Sequence, residues 1–456
     1  MSTPSSRAVL LRRLPLAFSM SLAFAGASQA QSLMDIYEMA RGYDATYQSA
    51  KAQYDANLAK ADQGKAQLLP QMALSGGATR NQLEAHSTPA NTAYAQDRYY
   101  TTQSAGINAT QPLYRPANLA TYRQSQKALE QASAALSQAE QDLIVRVSQA
   151  YFDVLTAQDN LTFVQAQKAA VAEQLASAKR NFEVGTATIT DTREAQARFD
   201  LVTAQEIAAD NDLRVKSVAL ELLVGKAGLK PQRIQTGATL PPLDGQGADH
   251  WIAQAEQSHP AILQARSSLD VAKLETEKAV AGHKPTVDFT LGYNVQKNLS
   301  GTNISNFPGL TTQATIKSAG VTANLPLFAG FATQNRIRET TALEEKARLD
   351  LEGAQRQVAQ ATRTAYLGLQ SGLGQVKAYE AAESSSQVAL DANKLGYQVG
   401  VRINIDVLNS QSQLYQTKRD LAKARYDVLV GQLRLRQAAG VLKADDLQAI
   451  NRLLAP

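Results

Sequence analysis

The stretch GYQVGVRINIDVLNSQSQLY, Gly396 to Tyr415, begins as a turn and continues as a helix. It repeats, 215 positions later, the stretch NFEVGTATITDTREAQARFD, Asn181 to Asp200. At that offset Val184 meets Val399, Gly185 meets Gly400, Asp191 meets Asp406 and Gln196 meets Gln411. The match continues outward in both directions. Downstream, Leu220 meets Leu435 and Gly225 meets Gly440; upstream, Ala150-Tyr151 meets Ala365-Tyr366, Pro70 meets Pro285 and Gly77 meets Gly292. PLY at 112–114 meets PLF at 326–328, one residue out of step, as a short loop insertion would cause. A constant offset that preserves the order of Pro, Gly and Tyr is the mark of an internal duplication. Each half is expected to fold as the same unit, residues 31–240 and 241–456.

Within a unit, residues 33–66 read as a helix ended by Pro70. Two stretches of period two follow in each copy, about 71–79 and 101–114, then about 286–296 and 315–328. In TVDFTLGYN, Val287, Phe289, Leu291 and Tyr293 share one face, and Asp288, Thr290, Gly292 and Asn294 the other. Such alternation predicts strands with one apolar and one polar side. Polar segments at about 80–100 and 297–314 read as the loops joining each pair. From Pro116 to Asn181 neither glycine nor a further proline occurs, and Leu129, Leu136, Leu143, Ala150, Ala157, Val164 and Val171 recur every seven residues. That spacing predicts a coiled-coil rod, about 100 Å long at 1.5 Å per residue. A turn at 182–191 and a second helix to Val224 complete the hairpin, and the pattern returns at about 330–396 and 403–440. Four strands per chain cannot close a membrane barrel, since about eight is the minimum. Unpaired apolar strands are an aggregation hazard. The pattern therefore favours several chains sharing one barrel over a soluble or peripheral envelope coiled-coil scaffold.

Composition narrows the class. The chain has 456 residues and no cysteine, which excludes a disulfide framework, a Cys-ligated metal site and a lipidated N-terminal Cys. Residues 1–30 combine Arg7, Arg12 and Arg13, an apolar run and the small residues Ser28 and Ala30. This is the layout of a secretory signal peptide, with cleavage expected after Ala30. Its removal lowers the formal charge from +5 to +2, and no dense basic block remains, so nucleic-acid binding is not expected. His86, His250, His259 and His283 are scattered, and no nucleotide loop or catalytic elbow occurs. Neither a cofactor nor a metal is expected, and the pattern is not that of an enzyme.

The duplicated strand–strand–long-helix plan, with FEVGTATITD and YQVGVRINIDVLNSQSQLY…ARYDVLVGQLRLRQAAGVL, resembles the TolC family of outer-membrane channel-tunnels over residues 31–456. The resemblance implies a mostly helical protomer whose four strands join those of two others in a trimeric twelve-stranded β-barrel. Long coiled-coil helices would continue the barrel as a periplasmic α-barrel, with an equatorial belt at about 226–252 and 441–456. It implies an exit duct for proteins or small toxic compounds. The duct would work with a periplasmic adaptor and an inner-membrane transporter of the ABC or RND type. The whole-chain match leans toward the secretion branch.

The resemblance also supplies site residues. A polar network closing the tips would comprise Thr190, Asp191, Tyr397 and Arg402, with Arg402 and the Tyr397 hydroxyl directed at the Asp191 carboxylate. Gly185 and Gly400 would shape the turns where the adaptor docks. The family's pore constriction carries a D-x-x-D pair; here Asp406 is followed by Asn409, so one carboxylate ring is kept and the second is neutral. Weaker cation block is expected from that loss. A simpler reading stands beside these. With Glu194 three residues on, Asp191 resembles a helix cap, whereas Asp406 lacks that partner and Asn404 is the alternative cap.

Overall fold

The computed structural model describes residues 31–87, 94–235, 239–242, 245, 247–299 and 311–455. The expected signal peptide, 1–30, lies outside them, as do parts of the two polar loops and of the 226–252 segment.

The chain runs α1 (Leu33–Tyr43), α2 (Ala45–Ala66), β1 (Gln71–Ser87), β2 (Tyr94–Tyr114), α3 (Pro116–Glu183) and α4 (Ile189–Val224). It then runs α5 (Ala248–Ser258), α6 (Pro260–Val280), β3 (Thr286–Leu299), β4 (Thr312–Asn324), α7 (Ala332–Gln398), α8 (Asn404–Ala438) and α9 (Asp446–Asn451). The starts of α1, α2, β1 and α4 recur 215 residues later as the starts of α5, α6, β3 and α8. The two small helices of each half are separate, because one residue between them leaves helical geometry. Asp44, at φ −57° and ψ 116°, accepts the Tyr47 N–H at the start of α2. At the same place in the second half His259 accepts the Ala261 N–H ahead of Pro260, which tolerates the first helical position because it needs no N–H partner there. The single helix expected over 33–66 is thus two.

The four strands form one antiparallel sheet in the order β1-β2-β3-β4. Its register brings one apolar face together: Leu74 lies across from Ile107, Ile107 from Tyr293, Met72 from Ala109 and Ala109 from Leu291. The opposite face is small and polar, with Asn81 donating to the Thr102 hydroxyl, which donates to Asn298. Among the described residues nothing covers the apolar side: Met72 and Leu74 are 75% and 80% exposed. The strands measure 17, 21, 14 and 13 residues, against about 9–11 for a tilted bilayer crossing. Residues 80–87 and 94–100, expected as loop, are therefore strand, paired from Asn81–Tyr100 to Ser87–Tyr94. Backbone pairing carries the hairpin past the point where side-chain alternation fades. β4 stops at Asn324 rather than Phe328, ahead of Pro326, which has no N–H to offer a ladder.

Below the sheet, α3 and α7 span 68 and 67 residues, about 100 Å each. The seven-residue rows become core: Leu143, Val147, Val154, Ala157, Val164 and Val171 are all buried. The main cluster joins Leu33, Ile36 and Tyr37 of α1 to Ile144 and Phe152 of α3, Leu429 and Leu433 of α8, and Leu447 and Ile450 of α9. Phe152 stacks on Tyr426 at 5.6 Å, and the Tyr426 hydroxyl donates to Asp159 at 2.7 Å. Here too the segment ahead of α1 and the segment after α9 are tied in: Gln31 pairs with Pro231 and Ile234 with Leu454. Trp251 packs in a neighbouring cluster with Leu369, Val428 and Leu435. No helix among the described residues is long and apolar enough to cross a membrane.

Candidate gate at the hairpin tips

The α3–α4 and α7–α8 turns have one construction. α3 ends at Glu183 with Val184 as its cap, and Gly185 follows at φ 80°, a left-handed conformation that a Cβ disfavours. The Asn181 carbonyl accepts both the Thr186 and Ala187 N–H groups. In the second copy Gly400 stands at φ 79°, and the Gly396 carbonyl accepts Val401 and Arg402. The turn glycines thus have a backbone role in both copies.

The next three residues separate the copies. Thr188 is the cap of α4: its hydroxyl accepts the Asp191 N–H at 3.2 Å, while the Asp191 carboxylate accepts the Thr188 N–H at 3.0 Å and the hydroxyl at 2.7 Å. Asp191 therefore belongs to a capping box as its third helical residue, not as the cap of Glu194. The equivalent of Thr188 in the second copy is Ile403, which has no polar atom, and α8 starts without a side-chain cap. The Asp406 carboxylate is left free of its own backbone. Arg402, in the tip turn just ahead of α8, approaches it at 3.7 Å.

The expected link from Arg402 and Tyr397 to Asp191 is not formed within the protomer. Arg402 faces Asp406 instead, because the tip turn leads straight into α8 and leaves the two side chains close along the chain, and Thr188 already holds Asp191. The Tyr397 hydroxyl accepts from Asn181 at 3.4 Å, and Thr190 is exposed. Asn404 is not a cap either. Fully buried, it accepts from Gln174 of α3 and donates to the Asp191 main-chain carbonyl at 3.4 Å, tying the second hairpin to the first. Asn409 accepts from Arg198 of α4 at 2.8 Å. These cross-hairpin partners were not readable as contacts in sequence. Thr188-x-x-Asp191 was readable, being a capping-box pattern that competes with Asp191-x-x-Glu194.

Polar contacts continue along this seam. Gln167 of α3 donates to Ser412 at 3.5 Å and accepts from Arg419 at 3.3 Å, while inside the second hairpin Asn393 donates to Ser410 at 2.5 Å. Within the first hairpin Val164, Val171 and Leu175 pack against Ala195 and Val202, and Lys168 of α3 donates to Glu206 of α4 at 2.7 Å. Among the described residues no group of His, Asp and Glu is arranged to hold a metal.

A sequence profile for outer membrane efflux proteins matches this chain twice, at residues 36–226 and 251–441. The chain belongs to the outer membrane efflux protein family. The two matches stand 215 residues apart, the offset of the internal repeat. This efflux-family protein is 35% identical over 439 residues to the outer membrane protein TolC of Vibrio cholerae, covering 96% of this chain and 97% of that one. It is 30% identical to TolC of Escherichia coli, over 97% of this chain and 89% of that one. It is 31% identical to the alkaline protease secretion protein AprF of Pseudomonas aeruginosa, over 92% and 87%. The fold matches solved outer-membrane channels. CmeC of Campylobacter jejuni superposes with a TM-score of 0.75 at 16% identity, covering 93% of this chain and 90% of that one. VceC of Vibrio cholerae gives 0.73 at 19%, covering 90% and 96%. The efflux-family protein is thus an outer-membrane exit channel that extends into the periplasm, and the soluble-scaffold alternative falls away.

Proposed function

We propose that three copies of the chain close into one twelve-stranded barrel continued by a helical duct. The carrying observation is the sheet itself: β1 and β4 are open edges, and one face is apolar and uncovered. Pairing β4 of one copy with β1 of the next removes every edge, as a bilayer requires. The duct works with a periplasmic adaptor at the Gly185 and Gly400 tips and with an inner-membrane transporter of the ABC or RND type. Relatives named for protease secretion favour protein export as its main traffic.

Thr190, Asp191, Tyr397 and Arg402 form the resting lock, with Asp406 and Asn409 at the constriction. Inside one copy Arg402 is occupied by Asp406, and Asp191 by Thr188. The lock therefore acts by contacts between copies that compete with these exposed, weak pairs. Purified protein is expected in the outer-membrane fraction as a detergent-resistant trimer; a periplasmic monomer would overturn the reading. Tyr397→Phe combined with Arg402→Ser is expected to raise single-channel conductance while the trimer persists. Unchanged conductance would remove these residues from the lock. Comparing a deletion strain for secreted protease and for drug sensitivity distinguishes export from efflux.

A further inference from the structure

The constriction reading assigns position 409 a neutral side chain, but the structure places a charge on it. Arg198, on the first hairpin, donates from Nη2 to the Asn409 Oδ1 at 2.8 Å. Among the described residues Arg198 makes no ion pair, so its charge is not cancelled locally. One turn toward the tip, Asp406 already shares its charge with Arg402. The α8 entrance thus carries one partly compensated carboxylate and, at the next turn, a guanidinium supplied by a helix from the other half of the molecule.

We propose that Arg198 is a selectivity-determining residue of this channel: it makes the 409 tier cationic and neutralises any carboxylate placed there. The proposal rests on the reading that this turn of α8 lines the constriction. An amide is the side chain that suits the contact, since its oxygen accepts from a guanidinium without cancelling the charge. A unit charge about 7 Å from a permeating ion in water shifts its local concentration by roughly one RT, or about threefold. Repeated in each copy, that term opposes cations and favours anions.

The consequence runs against the simplest expectation from the sequence. Asn409→Asp alone does not restore strong cation block, because the new carboxylate meets Arg198 at hydrogen-bond distance and forms an ion pair with it. Asn409→Asp with Arg198→Gln does restore it.

The test uses the full-length assembled channel in planar bilayers. In a potassium chloride gradient, Arg198→Gln is expected to raise the cation-to-anion permeability ratio by about sevenfold, since the cation gains and the anion loses roughly one RT each. The double variant is expected to be blocked by a trivalent cation at several-fold lower concentration than Asn409→Asp. An unchanged permeability ratio in Arg198→Gln, or equal block of the single and double variants, would overturn the proposal. The chain has no cysteine, so Asn409→Cys gives a single reactive site. Conductance loss when a cationic thiol reagent modifies it reports that position 409 lines the pore. Modification without conductance loss overturns the constriction reading itself. Conductance loss with unaltered selectivity in Arg198→Gln overturns only the role of Arg198.

Discussion

Replacing Ile403 by threonine should rebuild in the second hairpin the cap that the first one has. Ile403 holds the cap position of α8 at φ −99° and ψ 162°, close to the −88° and 158° of Thr188, so the backbone is already set. Its side chain is 61% exposed, so little apolar burial is lost. The new hydroxyl would reach the Asp406 N–H, and the Asp406 carboxylate would turn back to its own backbone, as Asp191 does. A side-chain cap contributes about 1 kcal/mol. The pair it displaces, Arg402 with Asp406 four residues apart and more than half exposed on the arginine side, contributes about 0.3–0.5 kcal/mol at most. The cap wins by about 0.5 kcal/mol, a factor of about two in occupancy. Two readouts should rise together. The apparent melting temperature rises by about 1 °C, small because the chain is long. The trivalent cation concentration for half-block rises about twofold, because the carboxylate is withdrawn from the pore. A variant with unchanged melting and equal or stronger block would refute the claim that the missing cap frees Asp406.

Asn404→Leu should remove both side-chain bonds that join the hairpins, one from the half-buried Gln174 amide and one to the Asp191 carbonyl, costing about 1 kcal/mol at the seam. It is expected to raise channel open probability more than Thr190→Ala does; equal effects would mean Asn404 serves packing alone. Acid sensitivity should have two separate origins in the paired helix starts. Hydrogen bonds from Arg146, at 2.9 and 3.0 Å, hold the Asp44 carboxyl below its usual range, so the stability it adds is present above about pH 4 and is lost as pH falls through the lowered value. Burial pushes His259 down, so its contribution is complete above about pH 6.5 and declines as pH falls toward its lowered value. His259→Asn should flatten melting temperature between about pH 6.5 and 5, and Asp44→Asn below about pH 4; melting curves unchanged in shape would remove these residues as the source.

The duplication, the rods and the paired strands were legible because each rests on periodicity, and periodicity survives drift in individual residues. The heptad rows from Leu143 to Val171 needed no tertiary knowledge to place the α3 core. What escaped depends on which of two local options the fold takes. Asp191 could have been a cap or the third residue of a box, and the Thr188 hydroxyl decided it. Arg402 had one acid four residues ahead and another on a different hairpin, and proximity along the turn decided it within the protomer. The break at Asp44 was hidden in the first copy but marked in the second by Pro260, a comparison the repeat made available. Arg198 and Gln174 gave no sequence signal, because their partners lie more than two hundred residues away.

The β1–β2 ladder runs unbroken from Gln71–Thr110 to Ser87–Tyr94. A tilted bilayer crossing needs only about 9–11 residues per strand, so in the proposed barrel the far end of this hairpin stands clear of the apolar layer. There the ribbon is held by backbone pairing and not by a match to lipid. Sequence in Asn81–Ser87 and Tyr94–Tyr100 is therefore free to change its side chains without disturbing a bilayer seal.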